Sequence, residues 1–254
     1  MKRTLTFYLV IIFIAAYGQN ITGTDFTEEI KKYDISYLWT LDKFQIENDT
    51  ETVERPEPLG YIGENFQRFQ IHFISVIKNA DNKLQYFVYG KTKVNENICA
   101  FQGIITIKRV VIYKDAEFPT LTQGTVYGQY VFYENPGQKG SGILRGHFQT
   151  DFYFNEKGEI KYNGLMAVAD GFQNNQFEGT WTSYKTGISK KCNWGDFRIP
   201  DSHRLDIGAG EFAPADEYLK YGWKSYVQAW ENASDNPEVI EARKKENEKW
   251  WIEN

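Results

Sequence analysis

The sequence predicts a mainly β protein, an antiparallel up-and-down β-barrel of roughly eight or nine strands with C-terminal α-helices. Three observations predict it. Apolar and polar residues alternate with period two from Ile35 to about Thr186. The breaks between these runs are short and rich in Asn, Asp and Gly. Past Pro200 the apolar spacing changes from that of a strand to that of a helix. Alternation marks a strand with one buried and one wet face, and short turns between long strands imply antiparallel neighbours.

The chain opens with Lys2 and Arg3, then an almost uncharged apolar run from Leu5 to Tyr17, then the small residues Ala16 and Gly18 around Tyr17. This pattern reads as a cleavable signal peptide, residues 1–18, with the cut before Gln19. The run is about 13 residues, short of the roughly 20 that span a bilayer as a helix. The expectation is an exported protein, periplasmic or extracellular, with no stable membrane span after cleavage.

Residues 19–34 hold a short helix around Thr27–Lys32, and residues 19–200 form the barrel domain. Ile35, Tyr37, Trp39 and Leu41 alternate with polar residues and read as its first strand, and Asp49–Pro58 as an exposed acidic loop. Further strands follow around Phe69, Ile71 and Phe73, then Leu84, Tyr86 and Val88, then Ile105 to Tyr113. Phe148, Thr150, Phe152 and Phe154 form the cleanest alternation. Gly90, Gly103, Gly128, Gly146, Gly164 and Gly179 fall inside predicted strands, where glycine marks a sharp bend or a close approach. Curved barrel walls need such positions.

Gly179-Thr180-Trp181 has the G-x-W form of calycin-like barrels, and the chain resembles the lipocalin-type and avidin-type families in architecture. In lipocalins that motif lies on the first strand, whereas here it lies on one of the last, so no binding residue is carried over. Past Pro200, residues 201–254 read as a loop and a helical appendage packed on the barrel. Pro214 opens one helix, whose stripe holds Leu219, Trp223, Tyr226, Val227 and Trp230, and Asn236-Pro237 opens another.

Formal net charge is −5, and loss of Lys2 and Arg3 makes the chain more acidic still. With no Lys/Arg cluster, nothing suggests a nucleic-acid partner. Cys99 and Cys192 are the only cysteines. In an oxidising compartment they are expected either to form one disulfide or to lie buried as free thiols. Without a C-x-x-C pair, and with only three histidines, no metal site and no cofactor are predicted. His147 and Asp151 share a strand face about 13 Å apart, too far to ligate one ion with His72.

The densest polar and aromatic stretch runs from Lys190 to Pro200 and on to Glu211. A ligand-binding site is expected there, formed by Asn193, Trp194, Asp196 and Arg198 together with Trp181. The competing reading pairs Asp196 with Arg198 to hold the loop together, while Trp194 and Phe197 plug the barrel. No catalytic residue is assigned, for want of a nucleophile motif. The leading expectation is therefore a non-enzymatic binding module for a small apolar molecule or a glycan. A hydrolase using carboxylates of residues 196–211 is one alternative. An assembly or surface-interaction protein engaging a partner through its C-terminal helices is the other. A filled interior favours this last reading, an aromatic cavity the first.

Overall fold

A computed structural model describes residues 23–46, 50–230, 234 and 236–252; the expected signal peptide, residues 1–18, lies outside the described residues. Short strands β1 (Gly23–Asp25), β2 (Lys43–Ile46) and β3 (Glu51–Glu54) lead into β4 (Leu59–Ile62), β5 (Gln67–Arg68) and β6 (Gln70–Lys78). The long strands follow: β7 (Gln85–Val94), β8 (Asn97–Tyr113), β9 (Thr122–Glu134) and β10 (Gly142–Phe154). Then come β11 (Ile160–Tyr162), β12 (Asn174–Ser183) and β13 (Ser189–Asp196), with helices α1 (Lys224–Trp230) and α2 (Pro237–Glu246) at the end.

One antiparallel sheet orders its strands β5-β4-β13-β12-β10-β9-β8-β7-β6. Only Phe69 separates its two terminal strands in sequence, and the Phe69 N–H donates to the Gly60 carbonyl at 2.9 Å. The ladder thus curls strongly and returns toward its start, a barrel-like wall built from successive hairpins.

The interior glycines explain how so narrow a wall is filled. Gly60, Gly90, Gly103, Gly128 and Gly146 stand directly opposite Trp194, Phe101, Phe132, Phe148 and Tyr130 in the ladders. A Cβ on Gly90 would lie 2.6 Å from the Phe101 ring, and one on Gly103 2.8 Å from that of Phe132. Each glycine therefore leaves the space into which its partner's ring folds, a cross-strand pairing that packs the inner face.

Several expectations are corrected. Residues Ser36–Trp39 form a 3-10 helix instead of a first strand. This places Leu38 and Trp39 in the barrel core with Ile30, Ile35, Phe44 and Ile46. The Trp39 Nε1–H donates to Thr150 Oγ1 at 3.0 Å, and its ring meets Tyr86 and Phe148 edge-on. The N-terminal segment is thus a plug held by burial, which overrides its strand-like alternation. The expected acidic loop contains β3, which pairs with β2. Gly164 lies outside any strand, against the Phe44 ring. Most of the polar and aromatic stretch from Lys190 is strand: Ser189–Asp196 form β13, in which Cys192, Trp194 and Asp196 are buried.

A second apolar cluster lies outside the wall, where Leu59, Tyr61 and Phe66 meet Ile199, Leu205, Phe212, Tyr218 and Trp223. A 3-10 turn over Asp216–Tyr221, α1 and α2 supply the cover. Asn236 caps α2 by accepting from the Val239 N–H at 2.9 Å, with Pro237 in the first turn. Arg68 forms a two-pronged ion pair with Glu246 (2.8 and 2.5 Å) and lies over the Trp223 and Tyr226 rings. His72 stacks on Trp251 at 3.7 Å between ring centres.

Candidate functional site

The five residues expected to bind a ligand are not gathered around one opening. Trp194 is buried in the middle of the barrel, stacked on Phe177 with ring centres 5.0 Å apart and in contact with Tyr130 at the same distance. Asn193 faces outward but is buried: its Nδ2 donates to Pro200 O (3.0 Å) and its Oδ1 accepts from the Gly179 N–H (3.0 Å). Arg198 binds Asp206 Oδ2 at 2.6 Å and the carbonyls of Gly208 and Gly210, holding together residues 206–210. Trp181 and Asp196 sit at opposite ends of the barrel.

At the plugged end, the Asp196 carboxylate is buried and fully engaged. It accepts from Arg55 Nη2 (2.7 Å) and Nε (2.9 Å), from the Tyr162 hydroxyl (2.9 Å) and from Asn175 Nδ2 (2.9 Å). Burial opposes the Arg55 charge, but the Asp196 carboxylate outweighs it and keeps the guanidinium firmly protonated. The expected partnership of Asp196 with Arg198 is thus replaced by one with Arg55, which sequence reasoning had left inside an acidic loop. The pocket beside this pair, lined by Trp39, Glu57, His72 and Phe73 among others, has a volume of about 30 Å³, the space of one water molecule.

At the opposite end, Glu134 on β9 points inward. It accepts from Thr92 Oγ1 (2.5 Å), the Gly142 N–H (2.7 Å) and Trp181 Nε1 (2.8 Å). The tryptophan of the G-x-W tripeptide therefore ties β12 to a buried acid on β9. Burial pushes the Glu134 carboxyl above the ordinary carboxylate range, outweighing the downward pull of the Thr92, Trp181 and Gly142 donors.

Of the two readings of the cysteines, the structure has them as buried free thiols. Cys99 Sγ lies at a strand end, 3.4 Å from Asn97 Nδ2 and 3.6 Å from the Lys139 carbonyl, whereas Cys192 belongs to the barrel core. Burial, then the Glu134 charge, pushes the Cys99 thiol up to about 11 and that of Cys192 well above its usual range.

The histidines stay apart from one another. His72 pairs with Glu57 at 3.0 Å and His147 with Glu178 at 3.6 Å. Asp151 instead accepts from Thr125 Oγ1 and Tyr113 Oη on the outer wall. Burial pushes the Asp151 carboxyl up despite those two donors. Among the described residues, no cluster of three His, Cys, Asp or Glu side chains is placed to hold a metal ion. No described helix is long and apolar enough to cross a membrane.

In comparisons with known proteins, no family model, curated protein or solved structure matches the chain.

A feature that sequence reasoning missed lies on the outer wall. Ile77, Phe87, Ile104 and Val131 form one cross-strand row over β6, β7, β8 and β9. Tyr89, Gln102, Tyr133 and Ile143 form the neighbouring row. The signal was present: Tyr86-Phe87-Val88-Tyr89, Ile104-Ile105 and Val131-Phe132-Tyr133 are apolar at successive positions. Strands that read so are apolar on both faces.

Proposed function

We propose that this chain is an exported, non-enzymatic interaction protein that binds through the outer wall of its barrel and not through an internal cavity. The packing of rings across the barrel carries this reading. Phe73 on β6 lies 5.5 Å from Phe132 on β9 and 5.9 Å from Phe177 on β12. Tyr130 on β9 lies 5.0 Å from Trp194 on β13, with two strands between them in the ladder. Rings that meet from strands so far apart occupy the volume in which a ligand-carrying barrel would hold its ligand.

Most tryptophans of the C-terminal segment are engaged within the chain. Trp223 and Trp250 are buried, and Trp251 stacks on His72, leaving Trp230 as the exposed one. Two of the carboxylates that the hydrolase alternative would use are engaged within the chain. Asp196 is bonded to Arg55, and Asp206 to Arg198 and to the N–H groups of Gly208 and Ala213. Export rests on the pattern of residues 1–18.

Native mass spectrometry of the mature protein from its own compartment tests the proposal. The expected result is the mass of the polypeptide alone in each oligomer. A stoichiometric co-purifying lipid, pigment or oligosaccharide overturns it.

A further inference from the structure

The outer wall divides into covered and naked parts. Over β4 and β13 it is covered by residues 199–226. Where β8 pairs with β1, and at the same end of β9 and β10, outward residues such as Val111, Thr125 and Tyr153 are buried. Between these lies a stretch of β6 to β10 that the described chain leaves open. An antiparallel wall facing water normally presents polar side chains there. This stretch presents Ile74, Ile77, Phe87, Tyr89 and Tyr133, exposed at 42%, 62%, 49%, 44% and 46%.

We infer that this patch is the interface of a two-fold dimer, its occupant being the same patch on a second copy of this chain. The inference rests on the surface-binding reading above and names its partner. Area is the first argument. At roughly 200 Å² per large residue, these five side chains and half-buried Ile104, Val131 and Ile143 leave about 600 Å² of apolar surface. That is the upper limit for a monomer, about 300–600 Å². It is also most of the roughly 800 Å² per partner that a stable interface buries.

Charge is the second argument. Neither row contains an acidic residue, the second carrying uncharged Ser75 and Gln102 among its apolar side chains, and Arg145, beside Val131 on β10, lies at the margin. A two-fold axis through such a patch opposes no like charges at its centre, so the surface is complementary to itself. The next row, Gln85, Thr106 and Gln129, is uncharged and polar over β7, β8 and β9 and continues on β10 as His147, which pairs with Glu178. It supplies the rim that surrounds an apolar interface centre.

Sedimentation velocity of the mature chain, from about 1 to about 100 μM, tests the inference. The expected result is a reversible monomer–dimer equilibrium that Phe87→Glu weakens at least about 30-fold, the loss of one central anchor. Ile207→Glu, at a still more exposed apolar site elsewhere, should leave it unchanged. Because Phe87 is exposed, its variant should keep the wild-type thermal transition when the two are compared at a dilution where both are monomeric. A wild-type chain that stays monomeric throughout overturns the dimer. So does a monomer that floats with phosphatidylglycerol vesicles, which assigns the patch to a lipid surface. Neither result touches the filled interior, whose failure would show separately as a bound ligand in native mass spectrometry.

Discussion

Replacing Arg55 by Met removes one guanidinium and leaves the Asp196 carboxylate buried without its cation. The Arg55 side chain is 11% exposed and that of Asp196 is 0%. Breaking such a pair from one side costs about 3–5 kcal/mol, because an uncompensated charge stays in the core. Tyr162 and Asn175 still donate to the carboxylate at 2.9 Å each. Those two bonds place the expected loss near the lower end, about 3 kcal/mol. For a chain of this size that is a fall in Tm of about 6–12 °C. Urea unfolding followed by far-ultraviolet circular dichroism gives the free energy directly, with the slope checking that the same surface is exposed. Adding Asp196→Asn removes the stranded charge and should recover at least about 1 kcal/mol. A loss below about 1 kcal/mol for Arg55→Met alone, the value of a solvent-exposed pair, would refute the buried pair as described.

Three further outcomes are expected. Trp194→Ala should cost about 3–5 kcal/mol in urea unfolding, as large aromatic truncations in a packed core do; a fully stable variant would place Trp194 at a surface. Alkylation of unreduced, denatured protein should label both Cys99 and Cys192 by mass, whereas an unlabelled pair would restore the disulfide. Glu134 holds its proton more tightly folded than unfolded. Its favourable contribution is therefore full below the ordinary carboxylate range and is lost as pH rises through the raised native value. Relative to Glu134→Gln, the wild type should lose stability as pH rises from the ordinary carboxylate range through the raised native value, by about 1.4 kcal/mol per unit of the rise. A difference between the two that does not change with pH would contradict this.

Much of the wall was legible because its cause is local. Phe148, Thr150 and Phe152 alternate in sequence and all point inward in β10. The mid-strand glycines were legible as close approaches, and five of the six lie in strands. What they approach was hidden, since Gly128 meets Phe148 only through the register of β9 on β10. Ile35–Leu41 misled because a plug buried in a barrel is apolar for reasons unrelated to strand period. The polar ends of the barrel were illegible for a similar reason. Arg55 and Asp196 are 141 residues apart, and a charge in an acidic loop reads as solvated until the fold buries it. Asp196, Arg198 and Asn193 were rightly singled out as a dense polar set, yet what binds them is the chain itself.

Titration of the purified mature chain with an apolar fluorophore, watching both the dye and the tryptophan emission, tests the filled interior most directly. The expected result is no saturable one-to-one binding and no quenching of buried Trp194. Stoichiometric uptake that quenches Trp194 would contradict the filled barrel and return the interior to a ligand.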